Sequence, residues 1–71
     1  MFYLVSFFKN GELIAQREFS SLYSAKNHLE FIAKRNNLEI AEDGESAISQ
    51  NVIRHMGDIP QFEIDIIGCE Y

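Results

Sequence analysis

The sequence is poor in the residues that usually staple a small domain. It contains one cysteine, Cys69, so an internal disulfide is excluded. Its two histidines, His28 and His55, stand alone, without the C-x-x-C or H-x-x-x-H spacing from which zinc sites are built. The four glycines, Gly11, Gly44, Gly57 and Gly68, are scattered, which excludes a phosphate-cradling loop. Asp43-Gly44-Glu45 lacks the regular oxygen ligands of a calcium loop. No apolar run approaches the roughly 20 residues of a membrane span. The N-terminus lacks the basic start of a signal peptide. A cytoplasmic protein without membrane contact, metal or cofactor is the expectation.

Positive charge is also scarce. Lys and Arg number 6 against 11 Asp and Glu, for a net charge of −5. The imbalance is local. Residues 1–37 hold five basic and three acidic residues, whereas residues 38–71 hold Arg54 alone against eight carboxylates. Nucleic-acid phosphates require Lys and Arg, so direct binding to nucleic acid is disfavoured. An acidic surface keeps a small protein dispersed, and it also suits a basic or nucleic-acid-binding protein partner.

What is present begins with Phe2 to Phe19, FYLVSFFKNGELIAQREF. Asn10-Gly11 between two apolar runs is the signature of a type I′ hairpin, because both central residues need positive φ. A two-residue loop pairs Lys9 with Glu12, Phe8 with Leu13 and Phe2 with Phe19. In that register Phe2, Leu4, Ser6, Phe8, Leu13, Ala15, Arg17 and Phe19 share the core face. Tyr3, Val5, Phe7 and Ile14 share the other, with Lys9, Glu12, Gln16 and Glu18.

Ser20 or Ser21 caps a helix running to about Asn36, with Leu22, Ala25, Leu29, Ile32 and Ala33 on one stripe. Phe31 points away from that stripe, among Ser24, Asn27, Lys34 and Arg35; it either packs beneath the C-terminal segment or anchors a partner. Residues 38–45 read as a short extended piece and an acidic loop around Asp43-Gly44, with a second hairpin there as the alternative. Ile48, Val52 and Met56 recur at helical spacing, predicting a short second helix from Glu45 or Ser46 to Met56, closed by Gly57 and Pro60. Phe62, Ile64 and Ile66 alternate with Glu63 and Asp65, predicting a strand over 61–67.

The expected architecture is α+β in one domain over residues 1–71. A β-hairpin, one long and one short helix and a C-terminal strand form a three-stranded, mainly antiparallel sheet with the helices on one face. Seventy-one residues bury barely enough apolar surface to offset chain entropy, and such domains often lean on a partner subunit.

No motif nominates a catalytic residue. Cys69 paired with a histidine is the one nucleophile arrangement to consider, and the expectation is a non-enzyme. The hairpin is too apolar for one helical layer to hide, which points to a regulatory or inhibitory interaction protein. Its expected partner-binding residues are Tyr3, Val5, Phe7 and Ile14, with Glu12, Glu18, Glu63 and Asp65 at the rim and Phe31 on the helix. A homodimer through the same face is the nearest variant. A nucleic-acid-binding module using Lys26, Lys34 and Arg35 of the helix is a separate alternative. In size, charge and outline the chain resembles the small acidic proteins that phages and other mobile elements carry against host defence or nuclease machinery. That resemblance implies mimicry of nucleic-acid phosphates by carboxylates, blocking a Lys/Arg-lined groove.

Overall fold

The structure, a computed structural model, describes residues 1–50 and 59–70. The α+β class is as expected, and the sheet is larger than the sequence pattern suggested. Strands β1 (Phe2–Lys9), β2 (Glu12–Phe19), β3 (Leu38–Ile40), β4 (Ser46–Ser49) and β5 (Phe62–Cys69) form one sheet in the order β2-β1-β5-β4-β3. Every adjacent pair is antiparallel. Helix α1 (Leu22–Arg35) crosses one face.

The first hairpin turns where its sequence requires. Asn10 and Gly11 have φ of 53° and 83°, the pair of positive values that a type I′ turn needs. Lys9 faces Glu12 and Phe8 faces Leu13. Beyond that point the register slips by one, so that Phe7 faces Ala15, Val5 faces Arg17 and Tyr3 faces Phe19. Ile14 is therefore the extra residue of a β-bulge, and the sequence-derived pairing holds only next to the turn.

A one-residue slip exchanges the faces of a strand. In β1 the residues under the helix are Tyr3, Val5 and Phe7, not Phe2, Leu4, Ser6 and Phe8. Val5 is 2% exposed and joins Ala25, Leu29, Ala33, Leu38, Ala47 and Ile64 in the core. Tyr3, Phe7, Phe19, Ile32, Phe62 and Ile66 pack around them. Strand β5 supplies the physical reason. Its Phe62, Ile64 and Ile66 alternate with Glu63 and Asp65, so only the isoleucine face can be buried. Its register sets Ile66 opposite Val5 and Ile64 opposite Phe7. The bulge then returns Ala15, Arg17 and Phe19 of β2 to that same side.

The helix forms where capping and periodicity coincide. The Ser21 hydroxyl accepts from the Ser24 amide at 3.1 Å, filling one of the bonds a helix start leaves open. Ala25, Leu29 and Ala33 are fully buried; two of the three are alanine, so the helix axis can approach the sheet closely. Asn36 donates from its backbone and its side chain to the Ile32 carbonyl. Asn37 then takes φ of 58° and the chain turns into β3.

Residues 46–49 form β4 rather than the start of a second helix. The alternation Ala47-in, Ile48-out decides it: Ala47 is 1% exposed and faces Ile64, while Ile48 faces Glu63 on the other side. An Asp43-Gly44 turn joins β3 to β4, with Gly44 at φ 73° and the Glu45 amide donating to Asp43 Oδ1. The Ser49 hydroxyl accepts from the Phe62 amide at 2.7 Å and donates to the Phe62 carbonyl at 3.1 Å, clamping β4 to β5. Val52, Met56 and Gly57, the rest of the expected helix, lie outside the described residues. Gly68, read from sequence as a strand end or bulge, stays in register opposite Tyr3.

Candidate interaction surface

The side of the sheet away from α1 is built by register. Phe2, Leu4, Ser6 and Phe8 of β1 face Cys69, Ile67, Asp65 and Glu63 of β5 in turn. On the β2 side, Leu4 faces Glu18, Ser6 faces Gln16 and Phe8 faces Leu13. Toward the other edge, Glu63 faces Ile48, which faces Glu39. The only helix among the described residues packs on the opposite side. Leu13 and Ile67 are each 48% exposed, while Phe2, Leu4, Phe8 and Ile48 are half-buried by their neighbours.

Among the described residues, the strands give this surface charge of one sign. Its strand positions carry Glu18, Glu39, Glu63 and Asp65 and no lysine or arginine. Lys9 and Arg17 lie on the helix side of the sheet, and Lys26, Lys34 and Arg35 belong to the helix itself. Glu63 and Glu39 are two strands apart, about 10 Å at the usual inter-strand spacing. At the centre, Ser6 is 1% exposed, and its hydroxyl accepts from Gln16 Nε2 at 2.9 Å. That bond satisfies Ser6, the one buried polar side chain among the described residues.

The expected contact residues divide. Glu18, Glu63 and Asp65 do share the face away from α1. Tyr3, Val5 and Phe7 do not: they lie beneath α1, and the correction follows from the bulge. Glu12 faces Lys9 at the turn end, and Ile14 is the bulged residue, 51% exposed at the sheet edge. Phe31 is 56% exposed on the outer side of α1, where the Arg35 guanidinium stands 5.4 Å from its ring centre. It packs beneath no C-terminal segment, because that segment is β5 inside the sheet. It is also not part of the sheet surface.

Phe2, Leu4, Phe8, Leu13, Ile48 and Glu39 belong to the face away from α1, which the sequence pattern does not predict for them, whereas Ile67 lies beside Glu63 and Asp65 as the alternation of β5 predicts. The signal for the β1 residues lay in β5. Once Glu63 and Asp65 fix the outer side of that strand, its neighbour must present either Phe2/Leu4/Phe8 or Tyr3/Val5/Phe7 beside them.

Cys69 sits on the face away from α1 opposite Phe2, whereas His28 lies on the helix side with its ring 5.0 Å from that of Phe19. The sheet therefore separates Cys69 from His28. His55 lies outside the described residues. No helix among the described residues is long and apolar enough to cross a membrane. Comparison with protein-family models, with curated proteins and with solved structures finds no match for this chain.

Proposed function

We propose that this chain is a small acidic, non-enzymatic interaction protein that lays the face of its sheet away from α1 on a basic surface of a partner protein, and so blocks or regulates that partner. The observation that carries this reading is the composition of the five strands on the face away from α1: an apolar centre of Phe2, Leu4, Phe8, Leu13 and Ile67, flanked by Glu18, Glu39, Glu63 and Asp65, with no Lys or Arg at the strand positions on that side. An apolar patch rimmed by charge is the usual anatomy of a contact surface, the centre giving affinity and the rim steering encounter.

The segregation of charge favours a basic partner over a second copy of the chain. Two copies joined through this face would bring like charges together, and like-charge juxtaposition opposes association. The same segregation supports the narrower reading in which the carboxylates stand in for nucleic-acid phosphates in a Lys/Arg-lined groove. Solubility alone requires no such sorting of charge between faces. The helix carries Lys26, Lys34 and Arg35, but Lys34 is bound to Glu30 at 2.7 Å and Arg35 rests on Phe31, which leaves a thin footprint for nucleic acid.

The test is affinity capture from the native source with the wild-type chain and two variants. Ile67→Lys puts a cation in the apolar centre, and Glu18→Gln/Glu63→Gln neutralises part of the rim. A specific partner captured by wild type, weakened by both changes and released by salt, supports the reading. A partner retained equally by both variants, with all three proteins folded, contradicts it.

A further inference from the structure

On the helix side of the molecule a second feature is independent of the sheet surface. Helix α1 lies over the middle of the sheet, and the outer strand β2 contributes only Phe19 to the packing around the core. Between α1 and β2 this leaves an open groove of about 230 Å³, lined by Val5, Phe7, Ala15, Arg17, His28 and Ile32, with Gln16 at its edge. The groove exists because Ala15, opposite Phe7, is too small to fill it.

One end of the groove is cationic. The Arg17 guanidinium stands 5.5 Å from the centre of the Phe19 ring, and that ring stacks 5.0 Å from the His28 imidazole. Among the described residues Arg17 has no carboxylate within ion-pair distance; the ion pair found there joins Lys34 to Glu30. Glu18, the next residue, faces the other side of the sheet, and Glu12 faces Lys9 at the turn end. Burial first, and then the neighbouring Arg17 charge, lower the pKa of His28.

We infer that the groove between α1 and β2 binds a small amphipathic carboxylate, its charged head held by Arg17 and His28 and its apolar tail lying over Val5, Phe7, Ala15 and Ile32. Convergent polar groups at one end of an apolar concavity are the usual form of a small-molecule site. The volume lies below the roughly 300 Å³ at which drug-sized pockets begin, so the tail is short. Arginine suits the head because its planar fork meets a carboxylate through two parallel hydrogen bonds.

The experiment titrates octanoate into the 15N-labelled chain near pH 7, with octanol as the uncharged counterpart, and follows backbone amides and the His28 ring by NMR. Saturable shifts at Phe7, Ala15, Arg17 and His28 are expected, together with a rise of the His28 pKa on binding. Arg17→Gln should weaken octanoate by about tenfold or more, the worth of a charge-assisted hydrogen bond. Ala15→Leu, which fills the groove without touching the charges, should remove the shifts while the rest of the spectrum stays native. Octanol binding as tightly as octanoate would overturn the inference. So would shifts confined to Leu4, Phe8 and Ile67 on the other face, or no saturable shift at millimolar octanoate.

Discussion

Gln16 Nε2 donates to Ser6 Oγ across 2.9 Å, joining β2 to β1 on the side of the sheet away from α1. The two residues meet only because Ile14 is inserted as a bulge; a regular hairpin from the Asn10-Gly11 turn would set Ser6 against Ala15. The bond therefore records the register on which the whole arrangement of faces depends. With Ser6 buried, Gln16→Ala leaves its hydroxyl without that partner and should cost about 1–3 kcal/mol. Adding Ser6→Ala to that background should recover part of the loss. Urea unfolding of the two single variants and the double variant measures the coupling.

His28 makes stability depend on pH. Its folded pKa lies below its ordinary 6.5 because burial and Arg17 disfavour the imidazolium. The unfolded chain thus binds this proton more tightly than the native chain, so protonation favours unfolding. The contribution is fully present above pH 6.5 and is lost as pH falls through 6.5 toward the folded pKa. In His28→Gln the slope of stability against pH between 7 and 5.5 should be shallower than in wild type. Chemical denaturation at a series of pH values reads it, and equal slopes would show that His28 contributes nothing.

The helix start and the helix surface should respond unequally. Ser21→Ala removes the side chain that accepts from the Ser24 amide and should cost about 1 kcal/mol. Glu30→Gln breaks the exposed i,i+4 pair with Lys34, worth no more than about 0.5 kcal/mol and less at high salt. Thermal melts at low and high salt separate the two: the Ser21 effect persists and the Glu30 effect fades.

Gly11 combines a φ of 83° with an Ile59 side chain whose Cγ2 would stand 3.1 Å from an added Cβ. Gly11→Ala should therefore destabilise by about 1 kcal/mol or more, through backbone strain and displacement of Ile59. A Tm no lower than that of wild type would show that the turn relaxes freely.

Much of this fold was legible from residues acting locally. Asn10-Gly11, the Ser21 cap, the Ala25/Leu29/Ala33 stripe and the Ile64/Ile66 alternation each specify their element without help from the rest of the chain. What escaped depended on residues far apart in sequence. Ile14 looks like any strand residue, and its bulge is imposed by the need to place Val5 and Phe7 beside Ile66 and Ile64. Ile48 shares helical spacing with Val52 and Met56, yet Ala47 and Ser49 are claimed by β5, and pairing with a partner strand outweighs a weak period in a short segment. Glu18, Glu63 and Asp65 lie on the expected face, away from α1, because β5 and the far half of β2 keep their expected sides. Tyr3, Val5 and Phe7 do not, because one inserted residue turns β1 over relative to β2.

Leu4 and Val5 are neighbours in β1 that point to opposite sides of the sheet, and the account rests on which of them is covered. The direct measurement is the thermal unfolding of Leu4→Lys and Val5→Lys, followed by circular dichroism. Leu4→Lys should keep the native spectrum and a cooperative melt, because Leu4 is only half-buried and the new cation faces Glu18. Val5→Lys should lose the folded state, because it buries an unpaired charge against Leu29 and Ile64. A folded Val5→Lys beside an unfolded Leu4→Lys would mean that the covered and uncovered faces are reversed.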